Sequence, residues 1–341
     1  ITGGCGFIGT NIAISFNKNH YKNLLILDNL SKPTAKKNLI FLKKKKISFK
    51  KIDIAKSKLK VEKLIRKYKP KAIFHLAGQV AMSSSIHNPI NDFDGNVIST
   101  LNILEAIRKF SNKTILIYSS TNKVYGDLEN YKYTEKKTRY IIKNDFKGFT
   151  EKNDLDFKSP YACSKGSADQ YVLDYSRVYN LNTVVFRHSS VYGGRQFFTY
   201  DQGWVGWFCA QAIKNKILFK SKFSVTGNGK QVRDIVHIDD ITKLYKDSIK
   251  NFKNIKGKAY NIGGGLTNSL SVIELINFLE RKLKIKLSYY NIENRPYDQK
   301  IFISDNNKIY KDLKWRPVIN YNKGLNQILH WIKQSKIYKD V

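Results

Sequence analysis

Ile1-Thr-Gly-Gly-Cys-Gly-Phe-Ile-Gly9 opens the chain, and Leu24-Leu-Ile-Leu-Asp28 follows it. Gly4, Gly6 and Gly9 stand in GxGxxG spacing, and Gly3, Gly6 and Gly9 in GxxGxxG spacing. Glycine is needed where a chain turns tightly and where backbone must come close to a phosphate. A helix starting at about Phe7 would point unpaired N–H groups and a positive dipole end at that phosphate. The spacing alone is a weak signal, because a glycine turn with no ligand also satisfies it. The run at 24–27, however, reads as a strand that ends in an acid about 20 residues after the glycines. A carboxylate there accepts hydrogen bonds from both hydroxyls of a ribose and repels a 2′-phosphate. Glycines, helix, strand and acid together predict a dinucleotide site that favours NAD over NADP, a preference that nearby Lys32 blunts.

Outward from this stretch, short apolar runs alternate with amphipathic ones. Runs at 24–27, 72–76, 115–118 and 184–186 read as strands, and stretches at 61–68, 97–109 and 161–179 as helices. The alternation predicts an α/β fold, a doubly wound parallel-sheet Rossmann domain with ligands at the carboxyl ends of its strands. The rhythm breaks from about 189 to 232, which is aromatic and Gly-rich and turns at 227–229. The tail from 257 carries a helix at 271–283 and a closing Trp315-Arg-Pro segment. These pieces predict a smaller mixed α/β substrate domain built from discontinuous C-terminal segments. The expected division is 1–188 with 229–256 for the cofactor, and 189–228 with 257–341 for a nucleotide-sugar. Since Ile1 leads at once into the glycines, a few residues of a first strand are expected before it.

With 341 residues, 42% of them hydrophobic, the chain can bury a real core and is not of disordered composition. No apolar run is long enough to span a bilayer. A formal charge of +34 raises the alternative of a protein that binds nucleic acid or an anionic membrane. Lysine is scattered along the whole chain, though, and Asn and Ile are also frequent, as a coding bias would give. The one dense block, at 43–46, falls where a loop is expected. Neither nucleic acid nor membrane is therefore expected as a partner, while anionic small ligands are favoured. Cys5, Cys163 and Cys209 form no CxxC pair, which predicts free thiols and a cytoplasmic setting. The histidines show no HxxxH or HExxH spacing, so no metal site is expected.

Tyr161-Ala-Cys-Ser-Lys165 sets a phenol and an ammonium one helical turn apart on one face. A free phenol with a pKa near ~10 is a poor base at neutral pH. Lowering it by roughly 3 takes about 4 kcal/mol, which Lys165 and an oxidised nicotinamide ring together would supply. An ordinary helix-surface pair has the same spacing; the position after several βα units favours chemistry. The run at 115–118 delivers hydroxyls to its carboxyl end, where Thr121 would bond the reacting hydroxyl and the Tyr161 oxygen. Ser119 or Ser120 is expected to satisfy a backbone group there.

The glycine loop, Asp28, Asp53-Ile54, His75-Leu-Ala-Gly78, Ser119-Ser-Thr121 with Val124-Tyr-Gly126, and Tyr161-xxx-Lys165 together resemble the extended short-chain dehydrogenase/reductase (NAD-dependent epimerase/dehydratase) family. Arg233-Asp-Ile-Val-His-Ile-Asp-Asp240, Tyr260-Asn-Ile-Gly263 and Arg295-Pro296 resemble its nucleotide-sugar half, so the likeness covers essentially the whole chain. Val185-Phe-Arg-His-Ser-Ser-Val-Tyr-Gly-Gly-Arg-Gln196 and Thr199-Tyr-Asp-Gln-Gly-Trp-Val-Gly-Trp-Phe208 are narrower. They resemble the branch of the family that inverts C2 of a CDP-linked 3,6-dideoxyhexose.

The resemblance implies a set of roles. Backbone at Phe7 and Ile8 would hold the pyrophosphate, and Asp28, Asn29 and Ser31 the adenosine ribose and its phosphate. Asp53 and Ile54 would meet the adenine. Leu76, Ala77 and Gln79 would line the cofactor, and Ser189 the nicotinamide. Ser85, Ser190 and Gln202 would face the sugar, and Arg233 and Arg295 the diphosphate. A homodimer or homotetramer through helices starting near Asn96 and Tyr161 is also implied. Two departures stand out. Ser190 occupies a position where many C4-acting relatives have Asn. Asn122 and Lys123 replace the Asp-Glu pair of the dehydratases, which disfavours 4,6-dehydration. Epimerisation at C4 of a UDP-hexose is the same-fold alternative. A non-catalytic, RNA-binding Rossmann protein is the other, and the intact Thr121, Tyr161 and Lys165 argue against it.

Overall fold

The computed structural model describes residues 1–18, 23–143, 145–218, 222–294 and 297–340. Its central sheet runs, edge to edge, Ser48–Lys51, Leu25–Asp28, Thr2, Ala72–His75, Ile115–Thr121, Asn182–His188 and Ala259–Ile262. Every pairing is parallel, and Thr2 alone bridges Leu27 on one side and His75 on the other. Such a sheet is covered on both faces, so its strands need unbroken apolar runs. Leu116 joins Val185, Val61, Ile103, Leu104 and Val172 in one core. Its neighbour Ile117, pointing the other way, joins Val184, Phe186, Ile12, Ile241 and Leu244 in the second. Helices Lys58–Tyr68, Ser99–Phe110 and Pro160–Tyr179 cover the first face, and Phe7–Lys18 and Ile238–Lys250 the second. From Thr2 the chain goes outward to Leu25–Asp28 and Ser48–Lys51, then crosses back to Ala72–His75. The crevice at such a reversal is where open α/β sheets take ligands, and the glycine loop lies there.

The predicted elements exist, with shifted ends. The strand expected at 115–118 continues to Thr121, because Ser119, Ser120 and Thr121 pair with Phe186, Arg187 and His188. A π-helical turn, Asp94–Ile98, precedes the helix expected from 97. The lysine block at 43–46 is not simply a loop. Lys43 and Lys44 form the last turn of helix Pro33–Lys44, where cations suit the negative end of the dipole.

The remaining segments build the second unit. Strand Val232–His237 pairs in parallel with Ser190–Tyr192 and Ile301–Phe302 and antiparallel with Ser269–Ser271. Helices Trp204–Leu218, Val272–Leu283 and Tyr321–Ser335 enclose a core with Trp207, Phe208, Leu275 and Ile328. Helix Val272–Leu283 starts on a reciprocal cap in which Ser271 and Glu274 satisfy each other's backbone N–H. Two expected boundaries are corrected. Ala259–Ile262, assigned to the substrate unit, is the edge strand of the central sheet. Val232–His237, assigned to the cofactor unit, belongs to the second sheet. The Trp315 segment also returns to the first unit, where its indole donates to Asp240 O at 3.1 Å. No spacing rule distinguishes which of two sheets a short apolar strand joins.

Candidate active site

The loop after Thr2 turns at Gly3, whose φ of 63° lies in the left-handed region. A Cβ there would stand 2.6 Å from Ala77 N, and one on Gly9 would stand 2.6 Å from Gly3 O. These two glycines let helix Phe7–Lys18 and the loop after Ala72–His75 close on the turn. A Cβ on Gly6 would meet only Gly3 O, at 3.1 Å, and would otherwise project into the cleft. That is the cradle a phosphate needs.

Asp28 ends its strand beside this loop. Its carboxylate accepts Cys5 N at 3.0 Å and Leu30 N at 2.8 Å. Burial raises its pKa, while the two N–H groups and the Lys32 ammonium oppose the rise. Asn29 donates to Asp53 at 3.1 Å and accepts from Ser31 N at 3.0 Å, which fixes the rim for a nucleoside. Leu76 and Ala77 donate their backbone N–H groups to the Thr2 hydroxyl at 3.2 and 3.3 Å. Gln79 folds back onto Ala81.

Ser159 caps helix Pro160–Tyr179 by accepting Ala162 N at 3.1 Å, with Pro160 at the first helical position. Tyr161 and Lys165 therefore sit on its first turns. Lys165 Nζ donates to Ser119 O at 2.5 Å and lies 4.3 Å from the Tyr118 ring centroid. The Thr121 hydroxyl donates to Asn122 Oδ1 at 3.4 Å and acts on the Tyr161 phenol in the sense that lowers its pKa. In the protein alone burial pushes the Tyr161 phenol up to about 12, against the pull of Thr121, and the lowering expected from Lys165 and a nicotinamide ring together concerns the loaded site. Burial also takes the Lys165 ammonium down to about 7, while Asp169 and Asp92 oppose it. Desolvation penalises both charged forms at once.

Beneath this pair lie groups the motifs did not reveal. Asp169 takes a bidentate grip from Arg187, at 2.9 Å for both nitrogens, and a bond from Ser120 at 2.8 Å. The Ser120 hydroxyl thus serves a buried carboxylate and not backbone. Asp92, fully buried, accepts from Asn96 at 3.3 Å and from Ser164, the neighbour of Lys165. Arg187 lies within a quoted motif, but its partner, on helix Pro160–Tyr179, could not be inferred from spacing.

The substrate end is organised by the second unit. Ser189 donates to the buried Asp234, whose carboxylate also accepts Ser304 N and Gly265 N at 3.0 Å. Ser190 accepts the Trp204 indole at 3.1 Å. Arg233 Nη2, at 2.6 Å, and Lys123 Nζ, at 2.9 Å, share one oxygen of Asp298. Asn122 donates to the buried Gln299 at 2.8 Å, and Gln299 donates to Gly126 O at 2.7 Å. Asp298 and Gln299 carry no local sequence signal, yet they splint the turn that follows Thr121.

The glycine loop, Tyr161 and the substrate-end side chains meet in one cleft of about 820 Å³. Gly3, Gly6, Phe7, Ile8, Gly9 and Asp28 form its floor at one end. Asn29, Ser31, Asp53, Ile54, Leu76, Ala77 and Gln79 continue it, and Thr121, Tyr161, Ser189, Ser190, Gln202 and Arg233 complete it. Lys165 is buried and is not among the residues that line the cleft. Ser85 does not face the cleft: it is fully buried, donates to Met82 O at 2.7 Å and accepts Tyr161 N at 3.1 Å. Its place is under the first turn of helix Pro160–Tyr179, where the helix start needs an acceptor. Gln202 is turned to Lys32 Nζ, at 3.2 Å, on the Asp28 side. Arg295 lies outside the described residues. Among the described residues, no cluster of His, Cys, Asp or Glu has the arrangement of a metal site. The glycine cradle, the ribose-facing acid and the cationic far end fit a dinucleotide and a second phosphorylated ligand meeting at Tyr161.

Residues 1–328 match the family described as GDP-mannose 4,6 dehydratase. The chain is 50% identical to the CDP-paratose 2-epimerase of Salmonella typhi, over 97% of this chain and 98% of that one. Its fold is similar to UDP-glucose 4-epimerase of Thermotoga maritima, solved with UDP-glucose (TM-score 0.82, 25% identity, 98% of both chains). The UDP-glucuronic acid 4-epimerase of Bacillus cereus, solved with UDP-glucuronic acid and NAD, shares the fold at a TM-score of 0.82, with 23% identity over 98% of both chains.

Proposed function

The chain belongs to the GDP-mannose 4,6-dehydratase family of extended short-chain dehydrogenases, and from that premise we propose that it is an NAD-dependent epimerase interconverting CDP-paratose and CDP-tyvelose at C2. The observation that carries the reading is the 50% identity to a CDP-paratose 2-epimerase along nearly the full length of both chains. UDP-hexose epimerases are more distant.

NAD, when bound, supplies a hydride acceptor that returns the same hydride, so no reductant is consumed. The chain's own residues do the rest. Backbone N–H groups of Phe7 and Ile8 bind the pyrophosphate over Gly6, and Asp28, Asn29 and Ser31 bind the adenosine ribose. Asp53 and Ile54 border the adenine, and Leu76, Ala77, Gln79 and Ser189 the rest of the dinucleotide. Tyr161 takes the proton of the C2 hydroxyl as the carbon is oxidised to a 2-keto sugar, and gives it back on the other face. Thr121 orients that exchange, and Lys165 offsets the phenolate charge. Arg233 anchors the diphosphate while the sugar turns over, and Ser190 borders the sugar. Asn122 and Lys123 are engaged with Gln299 and Asp298, so neither serves as the acid or base that loss of water requires.

The oligomer proposed is a homodimer or homotetramer. Ile90, Phe93, Tyr171 and Val178, on or beside the helices named for it, expose large apolar surface. Free thiols at Cys5, Cys163 and Cys209 suit a cytoplasmic enzyme, and no helix among the described residues is long and apolar enough to cross a membrane. The test is incubation of purified protein with CDP-paratose and trace NAD, beside a panel of CDP- and UDP-sugars, with products read by NMR. CDP-tyvelose is expected. Inversion of a UDP-hexose at C4, with CDP-paratose untouched, would replace this reading by its rival.

A further inference from the structure

Gln202 is bonded to Lys32 and not poised at the sugar, which draws attention to the segment that carries it. Between Gly193 (φ 144°) and Gly203 (φ 78°), both in the region that favours glycine, the chain extends from the second unit to the cofactor end of the cleft. Thr199 and Gln202 close a tight turn with reciprocal backbone bonds of 2.9 and 3.2 Å. Three side chains then tie the segment to helix Pro33–Lys44 and its cap. The Arg195 guanidinium lies 3.2 Å from the centroid of the Phe41 ring. Lys37 Nζ lies 5.4 Å from the centroid of Phe197. Lys32 donates to Gln202 at 3.2 Å. Asn11, on the glycine-loop helix, adds a bond of 3.0 Å to Gly194 O.

Two of the ties fall on one face of the helix, and the third comes from its N-cap. Lys37 and Phe41 are one turn apart on it, and Lys32 is its N-cap. Asp28, Lys32, Arg195, Phe197 and Gln202 all line the cleft, whereas Phe41 and Lys37 stand outside it. Phe41 therefore touches the segment without touching the space a ligand would fill.

We propose that residues 193–203 form a strap across the adenosine end of the cleft, and that Phe41, by holding Arg195, is a positioning residue that slows release of the bound dinucleotide. The inference rests on the reading of the cleft as an NAD site. It supplies something that reaction needs. A hydride taken from C2 must return to the same sugar, and loss of the cofactor before its return would strand a keto sugar. A tie between a cation and an aromatic face suits this task, since it restrains the strap while letting it slide open for the first loading.

The experiment compares NAD release from wild type, F41L and F41Y, each loaded with radiolabelled NAD and chased with unlabelled NAD. F41L keeps apolar bulk but has no π face; F41Y restores the face. Release from F41L is expected to be at least about tenfold faster than from wild type, with F41Y within about twofold of wild type. Release from F41L at the wild-type rate would overturn the strap. Equal acceleration in F41L and F41Y would overturn it too, since damaged packing would then be the cause. A wild type that takes up no NAD defeats the reading of the site itself, a different failure from equal release rates.

Discussion

The protonation of Tyr161 should depend on what else is bound. In the protein alone the phenol is pushed up to about 12 and Lys165 is brought down to about 7. At pH 7 about one phenol in 10⁵ is then ionised, an uphill cost of about 7 kcal/mol. Across one helical turn, roughly 5–6 Å, and at an effective dielectric near 20, a full positive charge is worth about 3 kcal/mol, or about two pH units. A fully charged Lys165 therefore covers under half of the gap. A second positive charge, brought to similar range by bound NAD, supplies a like amount. The midpoint should fall from about 12 towards ~7–8 when NAD is bound. The sign follows from the phenol being neutral when protonated, so cations favour the form present above the midpoint, and activity is lost as pH falls below it. With 21 tyrosines in the chain, the measurement has to be an ultraviolet tyrosinate titration of wild type minus Tyr161→Phe, with and without NAD. In Lys165→Met the NAD-bound midpoint should stand about two units above that of the wild type. Identical wild-type midpoints with and without NAD would refute the electrostatic account of the base.

Gly6→Ala should weaken NAD binding at least about tenfold while shifting unfolding free energy by no more than ~1 kcal/mol, since its Cβ meets only Gly3 O at 3.1 Å and otherwise fills the cradle; calorimetric titration and a urea melt separate the two effects. Asp169→Asn should cost about 3–5 kcal/mol by urea unfolding, because it leaves the buried Arg187 unpaired; a loss under ~1 kcal/mol would show the pair to be dispensable. The double substitution N122D/K123E restores the dehydratase residues but should yield no dehydration product by NMR. A carboxylate in place of Asn122 has no donor for Gln299, and one in place of Lys123 would face Asp298 as a like charge.

How far the sequence could be read depended on the separation between partners. The glycine loop, Asp28 and the Tyr161/Lys165 pair act through neighbours a few residues away or through backbone, and spacing read together with the flanking strands and helices pointed to them. The four strands nearest the site were also legible, because a sheet covered on both faces demands unbroken apolar runs such as 115–118. The ends of elements were not, since Ser119 to Thr121 become strand only by pairing with Phe186 to His188. Ser85 and Gln202 were assigned through the resemblance. The structure puts them to other work because a buried helix start needed an acceptor and a lysine near Asp28 needed a partner.

The protonation states show the same limit in energetic form. From sequence, an ammonium beside a phenol suggests a lowered phenol pKa, and Coulomb attraction does act in that direction. Burial, which depends on every element packed around the pair, is the largest influence on both groups in the protein alone. Asp169, one turn further along the same helix, and Asp92, reached only through the fold, decide how much of the Lys165 charge survives. Likewise, Asn122 and Lys123 announce that the dehydratase acid and base are missing, but not what became of the positions. Gln299 and Asp298, far along the chain, convert them into a splint that holds the Thr121 turn and Arg233 in one network. The local motif thus specifies which groups meet the ligand. The distant segment sets their charge and orientation, and with them which of the family's reactions the site can carry out.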